Sequence, residues 1–253
     1  MSTYVYAVAQ GEVPSSFPGL AAVGNRDAPI RRLRDGGLTA IVSDAPAEEI
    51  QATQDNLLAH SDAIQHLVET ASSVLPLRFG TVFPSDDAVR SELLEPRRDE
   101  LEAQLARLEG CVEMRVKGFY DEDEVLREVV SEDRRVAELH RRTRSLPEDA
   151  TYFERIQLGE LVVSALAARR ERDASTILGR LVPLTLDQVV EEEPHEWGVF
   201  TASLLVERRR LPELEAALDT TGEAMRPRIR LTCVGPLAPY SFVDLAFEPA
   251  GAV

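Results

Sequence analysis

The chain has 253 residues, of which 44% are hydrophobic and 28% are charged, a composition typical of a folded globular protein. This length is enough for one large domain or for two small ones. The formal net charge of −16 argues against a nucleic-acid-binding surface, because phosphate contacts need a concentrated basic face. Arginines do cluster at 134–135, 141–144 and 208–210, but carboxylates are interleaved with them, so solvated helix faces and strand ends are expected there.

The first part of the chain predicts strands and amphipathic helices. β-prone residues predict strands over 4–9 and 38–43, the second introduced by the turn signal Asp35-Gly36-Gly37. Apolar residues at helical spacing predict a helix over 53–70, which leads into an apolar run over 74–84.

A second helical pattern opens at Asp86. Pro96 should interrupt it, and Gly110 should end the helix that resumes afterwards. We predict that residues 1–109 form an N-terminal α+β domain.

The second part of the chain has the element order of a ferredoxin-like domain. Its predicted elements are a strand over 112–118, helices over 122–144 and 152–173, a short apolar segment over 181–190, a strand over 199–207, a helix over 212–218 and a strand over 228–234. The order strand, helical segment, strand, strand, helix, strand is that of the split βαβ arrangement. We therefore predict an α+β protein of two domains, in which residues 110–253 form a ferredoxin-like domain with a helical insertion and an aromatic C-terminal tail.

One charged residue, Arg78, stands inside the apolar run, next to Phe79 and Gly80. An arginine flanked by Leu and Phe must either find a partner or reach water. A buried unpaired charge is costly, whereas a guanidinium offers five donors in a planar fork. We therefore predict that Arg78 pairs with a carboxylate or with backbone carbonyls.

The tail over 235–247 combines turn formers with large rings at Pro236, Pro239, Tyr240 and Phe242. This composition favours a rigid, extended segment whose apolar side chains need a surface. Two interpretations stay open. The tail either folds back onto its own domains and seals a groove between them, or it forms part of a docking surface for another protein.

Groups arranged for catalysis or metal binding are not recognisable in the sequence. There is no G-x-S-x-G, no Walker lysine motif and no G-x-G-x-x-G after a strand. His60, His66, His140 and His195 form no H-E-x-x-H motif, and His60 lies near the edge of an apolar helix stripe, where a satisfied or half-exposed imidazole is the ordinary case. We expect no enzyme activity, no metal and no cofactor.

The two cysteines, Cys111 and Cys233, have neither metal-ligand spacing nor a disulfide framework, and we expect both to be buried thiols. The first residues lack the charged and apolar regions of a secretory signal, and no apolar run approaches the length of a membrane span. We expect a cytoplasmic protein without a membrane anchor.

Three patterns resemble the GvpL/GvpF family of gas vesicle proteins. The first is Leu75-Pro76-Leu77-Arg78-Phe79-Gly80-Thr81-Val82-Phe83, with His60 in the preceding helix. The second is Gly110 with Glu113 and Lys117, and the third is Gly235-Pro236 followed by Pro239-Tyr240-Ser241-Phe242. Family members often have Trp-Pro where this chain has Leu237-Ala238, so no role that rests on the tryptophan carries over.

The resemblance implies a non-enzymatic accessory or minor structural protein of gas vesicle formation, located in the cytoplasm and associated with gas vesicles. Its implied partners are the major shell protein and other gas vesicle accessory proteins, with no nucleic acid and no membrane. It also makes His60, Arg78, Phe79, Gly80, Phe83, Gly235, Pro236, Pro239, Tyr240 and Phe242 candidate partner-binding or structural residues. An alternative from a different class is a small-ligand sensor or an enzyme that uses a cleft between two domains.

Overall fold

The computed structural model describes residues 2–46, 49–191 and 195–244. Its strands are β1 (Thr3–Gln10), β2 (Arg31–Asp35), β3 (Leu38–Asp44), β4 (Ser73–Pro76), β5 (Val82–Phe83), β6 (Cys111–Tyr120), β7 (Asp187–Glu191), β8 (Gly198–Glu207) and β9 (Ile229–Leu237). Its α-helices are α1 (Gln54–Thr70), α2 (Asp86–Ala88), α3 (Arg98–Arg107), α4 (Glu122–Glu132), α5 (Arg134–Ser145), α6 (Tyr152–Leu181) and α7 (Leu211–Met225). The protein is a mixed helix and sheet fold with two sheets.

The first sheet is built around β1. Its strand order is β2-β3-β1-β4, and the short strand β5 also pairs with β1. Residues 4–9 are completely buried, so β1 is covered on both faces, which suits its unbroken run of Tyr, Val and Ala. β4 pairs with the second half of β1 and β5 with its first residues, so both lie along the same edge of that strand.

Side-chain caps and breakers set the helix boundaries. Thr53 accepts a hydrogen bond from the backbone N–H of Asn56 at the start of α1. The helical path that begins at Asp86 continues as a π-helical segment, Val89–Leu94, and α3 starts at Arg98, after the predicted break at Pro96. Gly110 has a φ of +66° directly after α3, which is the backbone conformation that glycine supplies at a helix end.

The second sheet has the strand order β7-β8-β6-β9. The three strands predicted to share a sheet, near Val112, Val199 and Arg228, do so as β6, β8 and β9. No helix among the described residues is long and apolar enough to cross a membrane.

Four elements differ from their sequence prediction. β2 forms in a segment for which the sequence predicted no strand, because the Asp35-Gly36-Gly37 turn pairs it with β3. The helix predicted over 122–144 is two helices, since Asp133 ends α4 and caps the first N–H groups of α5. α6 and α7 each continue well beyond their predicted ends.

The two cysteines also differ from each other. Cys111 is buried as expected, whereas Cys233 is exposed on β9, so the prediction of a buried thiol was wrong there. β9 lies at the edge of its sheet, and most of its side chains are exposed or half-buried.

The chain forms two compact units. The first contains the described residues up to Met114 together with those from Gly235 to Asp244, and the second is Arg115–Val234. The sequence placed the boundary after residue 109 and the tail in the C-terminal domain. The described part of the tail instead packs with the first unit, because Tyr240 and Ser241 bond to side chains there, and residues 245–247 lie outside the described residues.

A buried charge network holds elements of the second unit together. The Tyr120 hydroxyl donates to Asp173 Oδ2 over 2.9 Å, and Arg228 Nη2 donates to Asp173 Oδ1 over 2.9 Å. Arg228 Nη1 also donates to Glu128 Oε2 over 3.1 Å, which links the residue before β9 to α4 and α6. Burial and the Asp173 carboxylate raise the pKa of the Tyr120 hydroxyl, so Tyr120 acts only as a donor in this network.

We predict that Asp173→Asn lowers the free energy of unfolding by about 2 kcal/mol, because it removes one of the two carboxylates that neutralise the partly buried Arg228. Urea unfolding followed by circular dichroism measures this change. Glu171→Gln is the control, since Glu171 is exposed on the same helix and should change stability by less than about 0.5 kcal/mol. Equal stability of the two variants would show that the network contributes nothing.

Candidate functional site

His60 on α1 connects the start of the chain to its tail within the first unit. The Tyr4 hydroxyl lies 2.9 Å from His60 Nδ1, and the Tyr240 hydroxyl lies 3.0 Å from His60 Nε2. Tyr6 stacks on the imidazole at a centroid distance of 5.8 Å, and Phe79 meets it edge-on at the same distance. Side chains from β1, α1, the β4–β5 connection and the tail therefore meet at one ring.

One arrangement of protons satisfies every polar atom of this cluster. The Gly80 N–H donates to the Tyr4 oxygen over 3.2 Å, and the Tyr240 hydroxyl donates to the Leu77 carbonyl over 3.3 Å. The Tyr240 oxygen then accepts from His60 Nε2–H, and Tyr4 O–H donates to His60 Nδ1. A neutral imidazole with its proton on Nε2 is the form that completes the chain.

Burial keeps this imidazole neutral. His60 is 6% exposed, and desolvation lowers its pKa to about 4. Desolvation also raises the pKa values of the Tyr4 and Tyr240 hydroxyls, so neither ionises near neutral pH. A second proton on Nδ1 would remove the acceptor of the Tyr4 hydroxyl and break the chain of hydrogen bonds.

The segment Arg78–Gly80, called the RFG turn below, leaves the sheet between β4 and β5. Leu77 N–H donates to the Tyr6 carbonyl just before the turn, and Val5 N–H donates to the Thr81 carbonyl just after it. Inside the turn, the Thr81 hydroxyl donates to the Arg78 carbonyl over 2.7 Å. Gly80 has a φ of +87°, a left-handed conformation that a side chain would strain. The RFG turn therefore projects from the sheet edge in a fixed conformation.

The RFG turn places the Arg78 side chain in water. Arg78 is exposed, and its guanidinium makes no hydrogen bond or ion pair with any residue that the structure describes. The predicted pairing of Arg78 is not found among the described residues, because the chain leaves the sheet at this residue and exposes its side chain. Phe79 is half-buried over the imidazole, and Phe83 is buried opposite Thr3 of β1.

The tail segment, Gly235–Asp244, is fastened to the first unit at several points. Ser241 donates to the Glu113 carboxylate twice, from its backbone N–H and from its hydroxyl, each over 3.0 Å. Glu113 is 1% exposed, so these bonds replace the water that its charge loses on burial. Gln104 exchanges two hydrogen bonds with the backbone of Asp244, and Phe242 is buried.

The first glycine of the tail allows a close approach to β6. A Cβ atom on Gly235 would lie 2.5 Å from Met114 Sδ and 3.0 Å from the Glu113 carbonyl oxygen. The Pro236 carbonyl follows and accepts from Gln65 of α1 over 3.4 Å. Pro239 precedes a single 3₁₀ turn over Tyr240–Phe242, so the tail is not extended throughout as expected.

Comparison with known proteins identifies the family. A family model described as gas vesicle synthesis protein GvpL/GvpF matches residues 2–244. The chain belongs to this family. Its predicted membership is therefore confirmed, and the relatives carry the names of gas vesicle proteins, not of enzymes.

Relatives named gas vesicle protein F and relatives named gas vesicle protein L are both similar to this chain. Gas vesicle protein F of Streptomyces sp. (strain CB03234) is 35% identical over 96% of this chain and the whole of the relative. Gas vesicle protein L of the same strain is 30% identical over 97% of this chain and 94% of the relative. The chain is thus a gas vesicle protein of the F/L type, involved in gas vesicle formation.

Two solved structures share the fold. The crystal structure of GvpF from Anabaena sp. PCC7120 has a TM-score of 0.83 and 21% sequence identity, and the match covers 97% of this chain and 99% of that one. GvpF from Microcystis aeruginosa has a TM-score of 0.76, also at 21% identity, over 96% and 99% of the two chains. Both similarities support the fold of the GvpL/GvpF family for nearly the whole chain.

The structure brings together five of the ten candidate residues suggested by the family patterns. His60, Phe79, Gly80 and Tyr240 belong to one cluster, and Arg78 stands at its surface. Sequence reasoning missed Tyr4, which donates to His60 from the central strand. A tyrosine in a fully apolar strand was the available signal, because a buried hydroxyl needs a partner.

We predict that His60 makes the stability of this protein depend on pH. Its folded-state pKa, about 4, is below the ordinary value of 6.5, so the unfolded chain takes up the proton first as pH falls. The contribution of neutral His60 to the free energy of unfolding is therefore complete above pH 6.5 and is lost by about pH 4. It amounts to about 3 kcal/mol, at 1.36 kcal/mol per pKa unit.

Urea unfolding at several pH values tests this dependence. His60→Gln should flatten the fall in unfolding free energy between pH 6.5 and 4, whereas His140→Gln, at a half-exposed position on α5, should leave it unchanged. Equal slopes in the wild type and His60→Gln would contradict the buried neutral imidazole.

We predict that Gly235→Ala destabilises the protein by about 1–3 kcal/mol, because the new methyl group would overlap Met114 and the backbone of Glu113. Thermal unfolding measures the effect. Gly159→Ala is the matched control, because a Cβ there meets nothing within 4 Å and alanine favours the helix by about 0.5–1 kcal/mol. A Gly235→Ala protein as stable as the wild type would mean that the tail does not approach β6 this closely.

Proposed function

We propose that this chain is an accessory or minor structural protein of gas vesicle formation, which binds the major shell protein and other assembly proteins. The proposed contact site, called the RFG surface below, consists of Arg78, Phe79, Val82 and Tyr240. The observation that carries the proposal is an exposed arginine that pairs with none of the described residues and is presented by a turn that the chain holds in place. Such a guanidinium is ready for a carboxylate or for backbone carbonyls of another protein.

The rest of the RFG surface suits a partner that has apolar side chains beside its acceptors. Val82 is 36% exposed and Tyr240 is 42% exposed, although the hydroxyl of Tyr240 is bonded inside the cluster. The rings of Phe79 and Tyr240 are already held by their contacts with His60. They therefore lose little conformational entropy when a partner covers them, and this supports binding by a preformed surface. We place the protein in the cytoplasm, in association with gas vesicles.

The domain assignment belongs to the same proposal. We infer that the second unit is a ferredoxin-like domain with α4, α5 and α6 as its helical connection. The element order β6, helices, β7, β8, α7, β9 and the central positions of β6 and β8 in their sheet support this inference. The boundaries 1–109 and 110–253 stay predictions, amended by the position of the described tail.

We predict that Arg78→Glu leaves the folded protein intact but reduces its co-purification with the major shell protein about tenfold or more. The reason is that the exposed guanidinium contributes to binding and not to folding. The measurement is a pull-down from cells that carry the whole gas vesicle gene cluster, with thermal unfolding of the same variant. Its stability should stay within about 0.5 kcal/mol of the wild type.

Arg34→Glu is the matched control, since Arg34 is also exposed in the first unit and has no ion pair among the described residues. It should bind the shell protein like the wild type. Full co-purification of Arg78→Glu would refute the RFG surface, and its unfolding would show that Arg78 is structural.

A double variant tests the structural role of the tail. Tyr240→Ala with Phe242→Ala removes a buried ring and the bond to His60, so we expect reduced stability even in isolation.

The alternative function, a small-ligand sensor or an enzyme, is tested by thermal-shift screening with nucleotides and metabolites, because a tight ligand raises the melting temperature.

A further inference from the structure

The first half of α6 lacks the core contacts that its second half makes. Its buried side chains are Arg169, Asp173, Ile177 and Leu181, all in the C-terminal part of this 30-residue helix. Residues 152–168 are exposed or half-buried, although many of them are apolar. A helix that keeps so much apolar surface in water usually meets another molecule.

Exposed apolar residues follow one stripe on this half of the helix. Tyr152, Ile156 and Val163 are 61%, 46% and 68% exposed, and Gly159 lies between the last two. Their spacing of four, three and four residues is that of a coiled-coil seam, in which a second helix packs along the stripe. These four residues are called the α6 seam below. Phe153, 80% exposed, adds a large ring beside Tyr152.

The end of α5 packs against the start of α6 and supplies positive charge. Arg142 pairs with Glu154 over 3.1 Å, and Arg155 donates to the Thr143 carbonyl over 3.3 Å, so the end of α5 lies against the start of α6. α5 contains five arginines and one glutamate, whereas the whole chain has a net charge of −16.

Most of these arginines form no ion pair within the part of the chain that the structure describes. The guanidinium groups of Arg134, Arg135, Arg141 and Arg144 are exposed and make no ion pair with any residue in the described ranges. Exposed arginines elsewhere in the chain are often paired, as in Arg127–Glu124, Arg209–Glu207 and Arg226–Glu223. α5 therefore carries exposed positive charge that no described residue of the chain pairs with.

We propose that the α6 seam binds an amphipathic helix of another protein, with apolar residues at three- and four-residue spacing and acidic side chains on its flanks. Apolar anchors would enter the seam around Gly159, where the absence of a side chain allows close approach. The acidic flanks would meet the arginines of α5. This surface lies in the second unit and is separate from the RFG surface.

Charge also decides against a second copy of this chain as the occupant. A two-fold dimer through the seam would place the same surface opposite itself. If the two α6 helices are antiparallel, the arginine-rich α5 helices of both copies lie on the same side of the interface, and like charges there oppose association. An acidic helix from another protein meets complementary charge instead.

A designed peptide tests this proposal with the full-length protein. The probe is a fluorescein-labelled helix of three heptads with Leu at positions a and d and Glu at positions e and g, and the control peptide has Lys in place of each Glu. Fluorescence anisotropy should show binding of the Glu peptide at least about tenfold tighter than binding of the Lys peptide. Raising the salt from about 0.05 M to about 0.3 M should weaken it, because exposed charges are screened.

Substitutions on α5 and α6 test whether the peptide binds at the α6 seam. Ile156→Glu, Val163→Glu and the pair Arg141→Glu with Arg144→Glu should each weaken binding of the Glu peptide about tenfold. Gln157→Glu is the matched control, because it adds the same charge at an exposed position of α6 outside the seam. Circular dichroism melts should show that all of these proteins stay folded, since each position is exposed.

Three outcomes would overturn the proposal. They are no binding of the Glu peptide, equal binding of the Lys peptide, and unchanged binding by Ile156→Glu and Val163→Glu. A concentration-dependent dimer in sedimentation that Val163→Glu abolishes would assign the seam to a second copy instead. Each result is independent of the Arg78→Glu experiment, which concerns the first unit.

Discussion

The imidazole of His60 is the contact on which the first unit depends. It joins Tyr4 of the central strand to Tyr240 of the tail, two residues that are far apart in the chain, and both ring nitrogens are used. Because Gly80 and Leu77 bond to the same two tyrosines, the RFG turn is held by this cluster as well. The cost of burying these polar groups is offset only while every donor has its acceptor, so the cluster forms as a whole or is lost as a whole.

The position of Arg78 follows from the sheet edge that the cluster supports. β4 and β5 pair with the same strand, and the three residues between them leave that edge. In the sequence this segment reads as one apolar run, and only Gly80 indicates a turn inside it. Arg78 was expected to be paired because burial was inferred from its apolar neighbours. Burial in fact depends on whether the backbone stays in the sheet, which local composition does not determine.

Sequence patterns predicted the elements whose contacts are local and missed those that depend on distant partners. The apolar stripe of α1, the break near Pro96 and the element order of the second sheet all follow from periodicity and turn formers. β2 contains one apolar residue and forms because its neighbour β3 is already fixed. Glu113 alternates with apolar residues like an exposed strand position, yet it is buried because Ser241 bonds to its carboxylate.

The two proposed surfaces use arginine in different ways on a chain that carries a net charge of −16. At distances beyond the Debye length, about 8 Å at physiological salt, the net charge is largely screened. Inside that distance the local groups decide, and both Arg78 and the α5 arginines attract carboxylates. A strongly acidic chain can in this way discourage unspecific association with acidic proteins and still bind a partner that reaches these exposed arginines. Selectivity then comes from geometry: the RFG turn presents a single charge on a rigid bulge, and α5 presents several beside an apolar seam, so a partner must match the spacing as well as the sign of charge.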